Sequence, residues 1–187
     1  MNFDKKASEL IMEFKLRKWE KSDIDSMVKY ANNINVAKYL TDQFPHPYAK
    51  EDAEAYLNLI ENDNPIKVFA IDVNGECVGS VGIFPQNDIH QKNAEIGYWL
   101  AEEFWGKGIM SEAIRQITDY GFKTFDVTRI FARPFDVNIG SQKALLKAGY
   151  TFEAKFEKAL YKNGEYYDEL YFSIKKDCEF SPAVVKP

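Results

Sequence analysis

Two glycines one residue apart carry the clearest chemical signal in this chain, in Trp105-Gly106-Lys107-Gly108-Ile109-Met110-Ser111. The residues before them, 94–101, run AEIGYWLA and read as a strand, and residues 109–123 read as a helix. A strand that enters a helix through two glycines lets several backbone N–H groups converge on one point. That point is also the positive end of the helix dipole, which suits an anionic phosphate ligand. The bland alternative is an ordinary tight strand–helix connection. The dipole contributes only about 0.3–2 kcal/mol, whereas micromolar binding needs about 8 kcal/mol. Direct N–H bonds and contacts to the rest of the ligand must supply most of the affinity.

Other chemistries are poorly provided for. No GxxxxGK[ST] loop is present, and Gly106-x-Gly108 lacks the third glycine of a GxGxxG dinucleotide fingerprint. His46 and His90 are far apart and Cys77 and Cys178 form no CxxC pair, so no metal constellation is expected. No Ser/His/Asp or Cys/His set is evident.

The chain of 187 residues is the right size for one domain with a real core. Its 45% apolar and 15% aromatic content is that of a globular protein. A net charge of −5 without a Lys/Arg stripe argues against nucleic-acid or anionic-membrane partners, although Lys107 or Arg133 could still meet a phosphate. Residues 1–9 are polar and lack the apolar core of a signal peptide, no run approaches a membrane span, and unpaired cysteines suit a reducing compartment. A cytoplasmic protein is expected.

Residues 10–19 alternate as a half-buried strand, and Ser22 or Asp23 can cap a helix to about residue 32. Residues 32–48 read as irregular, followed by a helix over 50–61. The period then becomes two, in strands 66–73 and 76–84 around Asn74-Gly75, the pair a type I′ turn favours. After strand 94–101 and helix 109–123 come strand 128–133 and a helix over 138–147 that stops at Gly149. A hairpin closes the pattern, 151–161 and 165–175 around Asn163-Gly164. This order predicts an α/β (α+β) fold: a mixed, mostly antiparallel sheet with helices on both faces and a central parallel pair, strands 94–101 and 128–133. The expected organisation is a flexible segment over 1–9, a single domain over 10–176 and a loose tail over 177–187. Ligands in such sheets sit outside the carboxyl ends of parallel strands, which puts the glycine loop beside one crevice.

These features together resemble the GNAT acyltransferase superfamily, and more narrowly its RimJ/RimL-type N-acetyltransferases. The superfamily loop is Q/R-x-x-G-x-G/A, on which residues 105–110 lie, with Trp105 in place of Gln/Arg and Met110 in place of Gly/Ala. The likeness spans about residues 14–174. It includes Pro45-His46-Pro47-Tyr48 before Glu51-Asp52-Ala53, Glu95-Ile96-Gly97-Tyr98, Asn138-x-x-Ser141 leading to Lys147-Ala148-Gly149-Tyr150, and Asn163-Gly164-Glu165 followed by Asp168.

The resemblance implies transfer of acetyl from acetyl-CoA to a primary amine, a peptide N-terminus or a small molecule, without an acyl-enzyme or metal. It implies that Gly106, Lys107, Gly108, Met110 and Ser111 cradle the diphosphate. Trp99, Leu100 and Ala101 would line the pantetheine arm, and Asn138 would tie the following loop or the cofactor. A lysine in the place of Lys107 is more often a solvated surface residue than a phosphate clamp. Glu95 is the implied general base: with Gly97, Trp99 and Ala101 it shares one strand face, where Gly97 leaves space beside the carboxylate. Its alternative is a solvated glutamate. The tyrosine that many relatives use as general acid falls here at Leu145, which leaves Ser141 to hydrogen-bond the leaving thiolate, or to serve only in the first turn of its helix. The resemblance also allows a homodimer. A competing class is a non-catalytic acyl-CoA-binding module, suggested by Met110 and Leu145, and a third reading is a different acyl-CoA donor.

Overall fold

The computed structural model describes residues 12–176. The expected loose segments over 1–9 and 177–187, and Cys178, lie outside the described residues. The elements follow the predicted order: β1 (Lys15–Arg17), α1 (Ile24–Ala31), α2 (Ile34–Ala37), α3 (Lys50–Ile60), β2 (Val68–Val73), β3 (Glu76–Pro85), β4 (Asn93–Leu100), α4 (Ile109–Thr124), β5 (Arg129–Ala132), α5 (Ile139–Lys147), β6 (Thr151–Lys162) and β7 (Glu165–Lys175). Among the described residues seven strands form one sheet in the order β1-β2-β3-β4-β5-β7-β6. Only β4 and β5 are parallel; the other neighbours are antiparallel.

Two elements differ from expectation. β1 is three residues long, because its pairing with β2 ends at Arg17↔Ala70 and Trp19 then turns into the core. The segment expected to be irregular contains α2, a single turn whose cap Asn33 accepts from the Asn35 amide at 2.8 Å. Four residues are too few for periodicity to register.

Each face of the sheet buries its own cluster. On one, Ile109, Ala113, Ile114 and Ile117 of α4 and Leu145 of α5 pack against Ile83, Ala94, Ile96 and Ile130. On the other, Met27 and Ala31 of α1 and Ala53 and Leu57 of α3 pack against Val68, Ala70 and Cys77. The first helix is not capped as predicted. Asp23 occupies the N-cap position of α1, yet its carboxylate accepts from the Glu20 amide at 2.9 Å and from both terminal nitrogens of Arg17 at 2.7 Å.

The parallel pair positions the site. Its register is Asn93↔Arg129, Ala94↔Ile130 and Glu95↔Phe131, and no pairing follows. β4 continues to Leu100 bonded only to β3, so its edge toward β5 is open from residue 96 onward. α4 begins at the end of that open edge, and α5 begins across from it.

Candidate active site

A cavity of about 530 Å³ occupies the opening, lined by Tyr98, Trp99 and Leu100 of β4, the loop 104–108, the first turn of α4 and the first turn of α5. α2 and the residues after it, including Val36, Tyr39 and Leu40, line it from the other side.

Gly106 and Gly108 have φ of +75° and +77°, the left-handed region open to glycine at little cost. A Cβ built at Gly106 meets nothing within 4 Å, so the turn faces open space. Among the described residues, none of the amides from Gly106 to Ser111 donates a hydrogen bond; the first such bond of α4 runs from Glu112 N to Gly108 O at 3.2 Å. These free amides converge at the positive end of a 16-residue helix. The arrangement fits a diphosphate.

The side chains around this turn have other work. Trp105, at the position where the superfamily pattern has Gln or Arg, donates its indole N–H to the Leu100 carbonyl at 2.8 Å. Met110 packs on the core beneath the cavity, Ser111 is buried, and Lys107 lies over the Phe104 ring with its ammonium 5.1 Å from the centroid.

Of the other sequence-derived candidates, Trp99 and Leu100 line the cavity and Ala101 does not. Ala101 is buried and its amide donates to Val78 O at 2.8 Å, which closes β4 against β3. The next cavity-lining residue is Tyr98 instead. Asn138 lines the cavity and caps α5, its side-chain oxygen accepting from the Ser141 amide at 3.1 Å. Ser141 is therefore held in the first turn, and its hydroxyl lies 2.7 Å from that of Tyr98. Burial pushes the Tyr98 hydroxyl far above its ordinary range, only partly offset by the Ser141 bond, so it stays protonated and available as a donor. Leu145 is fully buried in the core.

Glu95 projects from the opposite sheet face, with Gly97 and Trp99, as alternation requires. It is outside the cavity lining and is not free. Arg133, just beyond β5, donates Nε to one of its oxygens at 2.9 Å and Nη2 to the other at 3.0 Å. Nη1 of the same guanidinium reaches Glu169 of β7 at 3.3 Å. Arg133, which the sequence left available for a phosphate, thus belongs to a carboxylate–guanidinium–carboxylate set at the mouth of the split. His46 and His90 are exposed and outside the cavity lining.

Sequence reasoning missed Tyr98, Glu169 and the role of Arg133. An alternation count would have placed Tyr98 toward the α4 side, but nothing local pairs Arg133 with Glu95 and Glu169. Among the described residues no group of three or more His, Cys, Asp or Glu side chains could hold a metal ion, and no helix is long and apolar enough to cross a membrane.

Residues 13–151 match the family described as "Acetyltransferase (GNAT) domain". The chain is 31% identical over 169 residues to the uncharacterized N-acetyltransferase YnaD of Bacillus subtilis (strain 168), covering 90% of this chain and 94% of that one. Among solved structures, the microcin C7 self-immunity acetyltransferase MccE in complex with acetyl-CoA and AMP superposes with a TM-score of 0.75 at 26% identity, covering 88% of this chain and 93% of that one. RimL, the ribosomal L7/L12 α-N-protein acetyltransferase in complex with coenzyme A, gives a TM-score of 0.77 at 22% identity over 90% and 97% of the two chains, a likeness of fold.

Proposed function

This chain belongs to the GNAT acetyltransferase domain family, and on that premise we propose that it is an N-acetyltransferase moving acetyl from acetyl-CoA to a primary amine by direct transfer. The observation that carries this reading is the run of unengaged amides from Gly106 to Ser111, opening onto a cavity that continues along the free edge of β4. Acetyl-CoA would supply an activated thioester there. Gly106, Lys107, Gly108, Met110 and Ser111 would hold its diphosphate through main-chain N–H groups, which is why the unusual side chains at 105 and 110 do not remove the function. Tyr98, Trp99 and Leu100 would line the pantetheine arm. Asn138, whose side chain accepts from the Ser141 amide and which lines the cavity, would support α5 and stand within reach of the cofactor.

Ser141 is suited to donate to the departing thiolate. Tyr98 remains protonated and can donate to the Ser141 oxygen, leaving the Ser141 proton free to turn toward the cavity. A CoA thiolate leaves readily, so this donor tunes the rate without being indispensable. The buried Leu145 has no part in the chemistry. The departures at Met110 and Leu145 that suggested a non-catalytic module therefore lose their force: one contributes through its backbone and the other is core.

The match at residues 13–151 supports a single acyltransferase domain over 10–176. The structural likeness to RimL supports the RimJ/RimL-type reading at the level of fold. The direct test is purified protein with acetyl-CoA and a mixed panel of peptide N-termini and small amines, followed by free-thiol release and product mass. Micromolar binding with amine-dependent thiol release is expected. Absence of both binding and release would end the proposal, and binding with no release would return the non-catalytic reading.

A further inference from the structure

The carboxylate set at the end of the split, outside the cavity lining, contains Glu95, the general base that the resemblance implied, and its geometry separates that residue from Glu169, which the sequence did not single out. Glu95 has both oxygens on Arg133, at 2.9 and 3.0 Å. Glu169 has one oxygen on the same guanidinium at a longer 3.3 Å, and among the described residues its second oxygen has no partner. The three groups together carry one negative charge.

The surroundings of Glu169 are apolar. Its backbone partner across β6 is Phe156, and on its other side it bridges to Phe135. Directly paired antiparallel residues share a face, so both aromatic side chains leave the sheet on the same side as Glu169. Along β7 itself Tyr167 packs edge-on to Phe135, ring centroids 5.4 Å apart, and Tyr171 packs on Phe156 at 5.2 Å. The Glu169 side chain is left 13% exposed, against 26% for Glu95. A carboxylate on the same sheet face as a set of aromatic side chains, with one oxygen unpaired among the described residues and a net negative cluster around it, is a place for a cation, since ring faces and carboxylates both attract ammonium. Burial pushes the Glu169 carboxyl up; the Arg133 charge opposes this and the Glu95 charge adds to it. Both charges that act on it belong to the set at this mouth.

We infer that Glu169, not Glu95, receives the acceptor's ammonium and takes its proton, with Arg133 and Glu95 as positioning residues that hold it at the mouth of the β4–β5 split. The inference rests on the acetyl-transfer reading above. In the step, R–NH3⁺ gives one proton to Glu169, and the neutral nitrogen forms the C–N bond to the thioester carbonyl carbon. The C–S bond then breaks as the second amine proton passes to the departing sulfur. The products are the N-acetyl amine and CoA thiol, with the first proton released from Glu169 to solvent. The same charge arithmetic names the acceptor class: a primary amine with no carboxylate beside it, because a free amino acid would bring a third carboxylate against Glu95 and Glu169. Neutralising such an amine costs about 1 kcal/mol at pH 7 for a peptide N-terminus and about 4–5 kcal/mol for an alkylamine.

The test compares wild type, Glu169→Gln, Glu169→Asp and Glu95→Gln, measuring acetyl-CoA affinity and the pH profile of kcat/KM with a peptide amide, a diamine and an amino acid. Glu169→Gln is expected to bind acetyl-CoA normally, to lose about 100-fold or more in kcat and to lose the acidic limb of the profile. Glu169→Asp should restore that limb at reduced kcat, and Glu95→Gln should keep it with a raised KM for the amine. Wild type should prefer the peptide amide and the diamine over the amino acid by at least about tenfold, the scale of one mispaired charge, a readout that needs no variant to fold. Turnover by Glu169→Gln within about threefold of wild type, loss of the limb in Glu95→Gln instead, or an equally good amino-acid acceptor would overturn the inference while leaving acetyl transfer standing. A wild type that transfers to no amine would remove the acetyl-transfer reading itself, and this assignment with it.

Discussion

The indole N–H of Trp105 meets the carbonyl of Leu100 at 2.8 Å, joining the last residue of β4 to the turn whose amides face the cavity. That carbonyl sits at the end of a strand with an open edge, so the bond fixes both the strand end and the entry to α4. Trp105→Phe keeps much of the ring and removes the donor. The expected result is a loss of about 1 kcal/mol in folding stability, the ordinary worth of one hydrogen bond. Loosening of the turn should also weaken acetyl-CoA binding by roughly fivefold. Thermal unfolding and calorimetric titration read the two effects separately.

Gly108 starts α4 at φ +77°. A side chain there must enter the left-handed region, at a cost of roughly 1–2 kcal/mol, and must stand among the amides proposed to bind the diphosphate. Gly108→Glu adds a negative charge at the same point. The fold should survive with Tm lowered by several degrees, while acetyl-CoA binding disappears. Unchanged affinity in the titration would mean that the diphosphate lies elsewhere.

Ser141 contributes its amide to the Asn138 cap and its hydroxyl to Tyr98. Ser141→Ala keeps the amide and therefore the cap, so stability should change by less than about 1 kcal/mol. If the hydroxyl assists the departing thiolate, kcat falls by roughly tenfold, equivalent to about 1.4 kcal/mol, with KM for acetyl-CoA unchanged. Tyr98→Phe should lower kcat in the same direction by a smaller factor. Steady-state kinetics on both variants and their double mutant measure this. Additive losses would show that the two hydroxyls act independently.

What the sequence made legible was local. The helix α4 and strands β3 and β4 show in the periodicity of apolar residues, the α5 stop shows in Gly149, and the glycine loop shows in its spacing. In the structure Gly149 takes φ +94°, with its amide on Leu146 O and that of Tyr150 on Leu145 O, at 3.1 and 3.0 Å, as a helix-ending glycine should. Ala101 lies outside the cavity lining because alternation continues past the point where a strand stops facing a gap and turns back to its neighbour. The Glu95–Arg133–Glu169 set was invisible for a different reason. Its members sit on or beside β4, β5 and β7, 38 and 36 positions apart, and meet only because the sheet order interleaves β7 next to β5. Trp105 looked like a departure from pattern until its hydrogen bond to Leu100 gave it a purpose.

The largest stability effect should come from the other end of the sheet. Arg17 donates Nε to Asp72 at 2.7 Å and both terminal nitrogens to Asp23 at 2.7 Å, and the two carboxylates are almost wholly buried. Arg17→Ala leaves the buried Asp23 without its counter-charge and Asp72 with only the more distant Lys15 at 3.8 Å, a loss of about 3–5 kcal/mol, whereas a methionine paired with Asp23→Leu and Asp72→Leu should recover much of it. The pH dependence follows from Asp72. Burial alone would raise its carboxyl, but the Arg17 hydrogen bond, the Gly75 amide and the charges of Arg17 and Lys15 together hold it below the ordinary value. A depressed carboxyl contributes stability in full above its unfolded pKa of about 3.9, and that contribution is lost as pH falls from there through the lower folded value. Denaturant unfolding at pH 7 and at pH 3 should therefore show wild type losing stability on acidification. Arg17→Ala, already without the interaction, should lose less over the same interval; an equal loss in both proteins would show that Asp72 and Arg17 are not coupled.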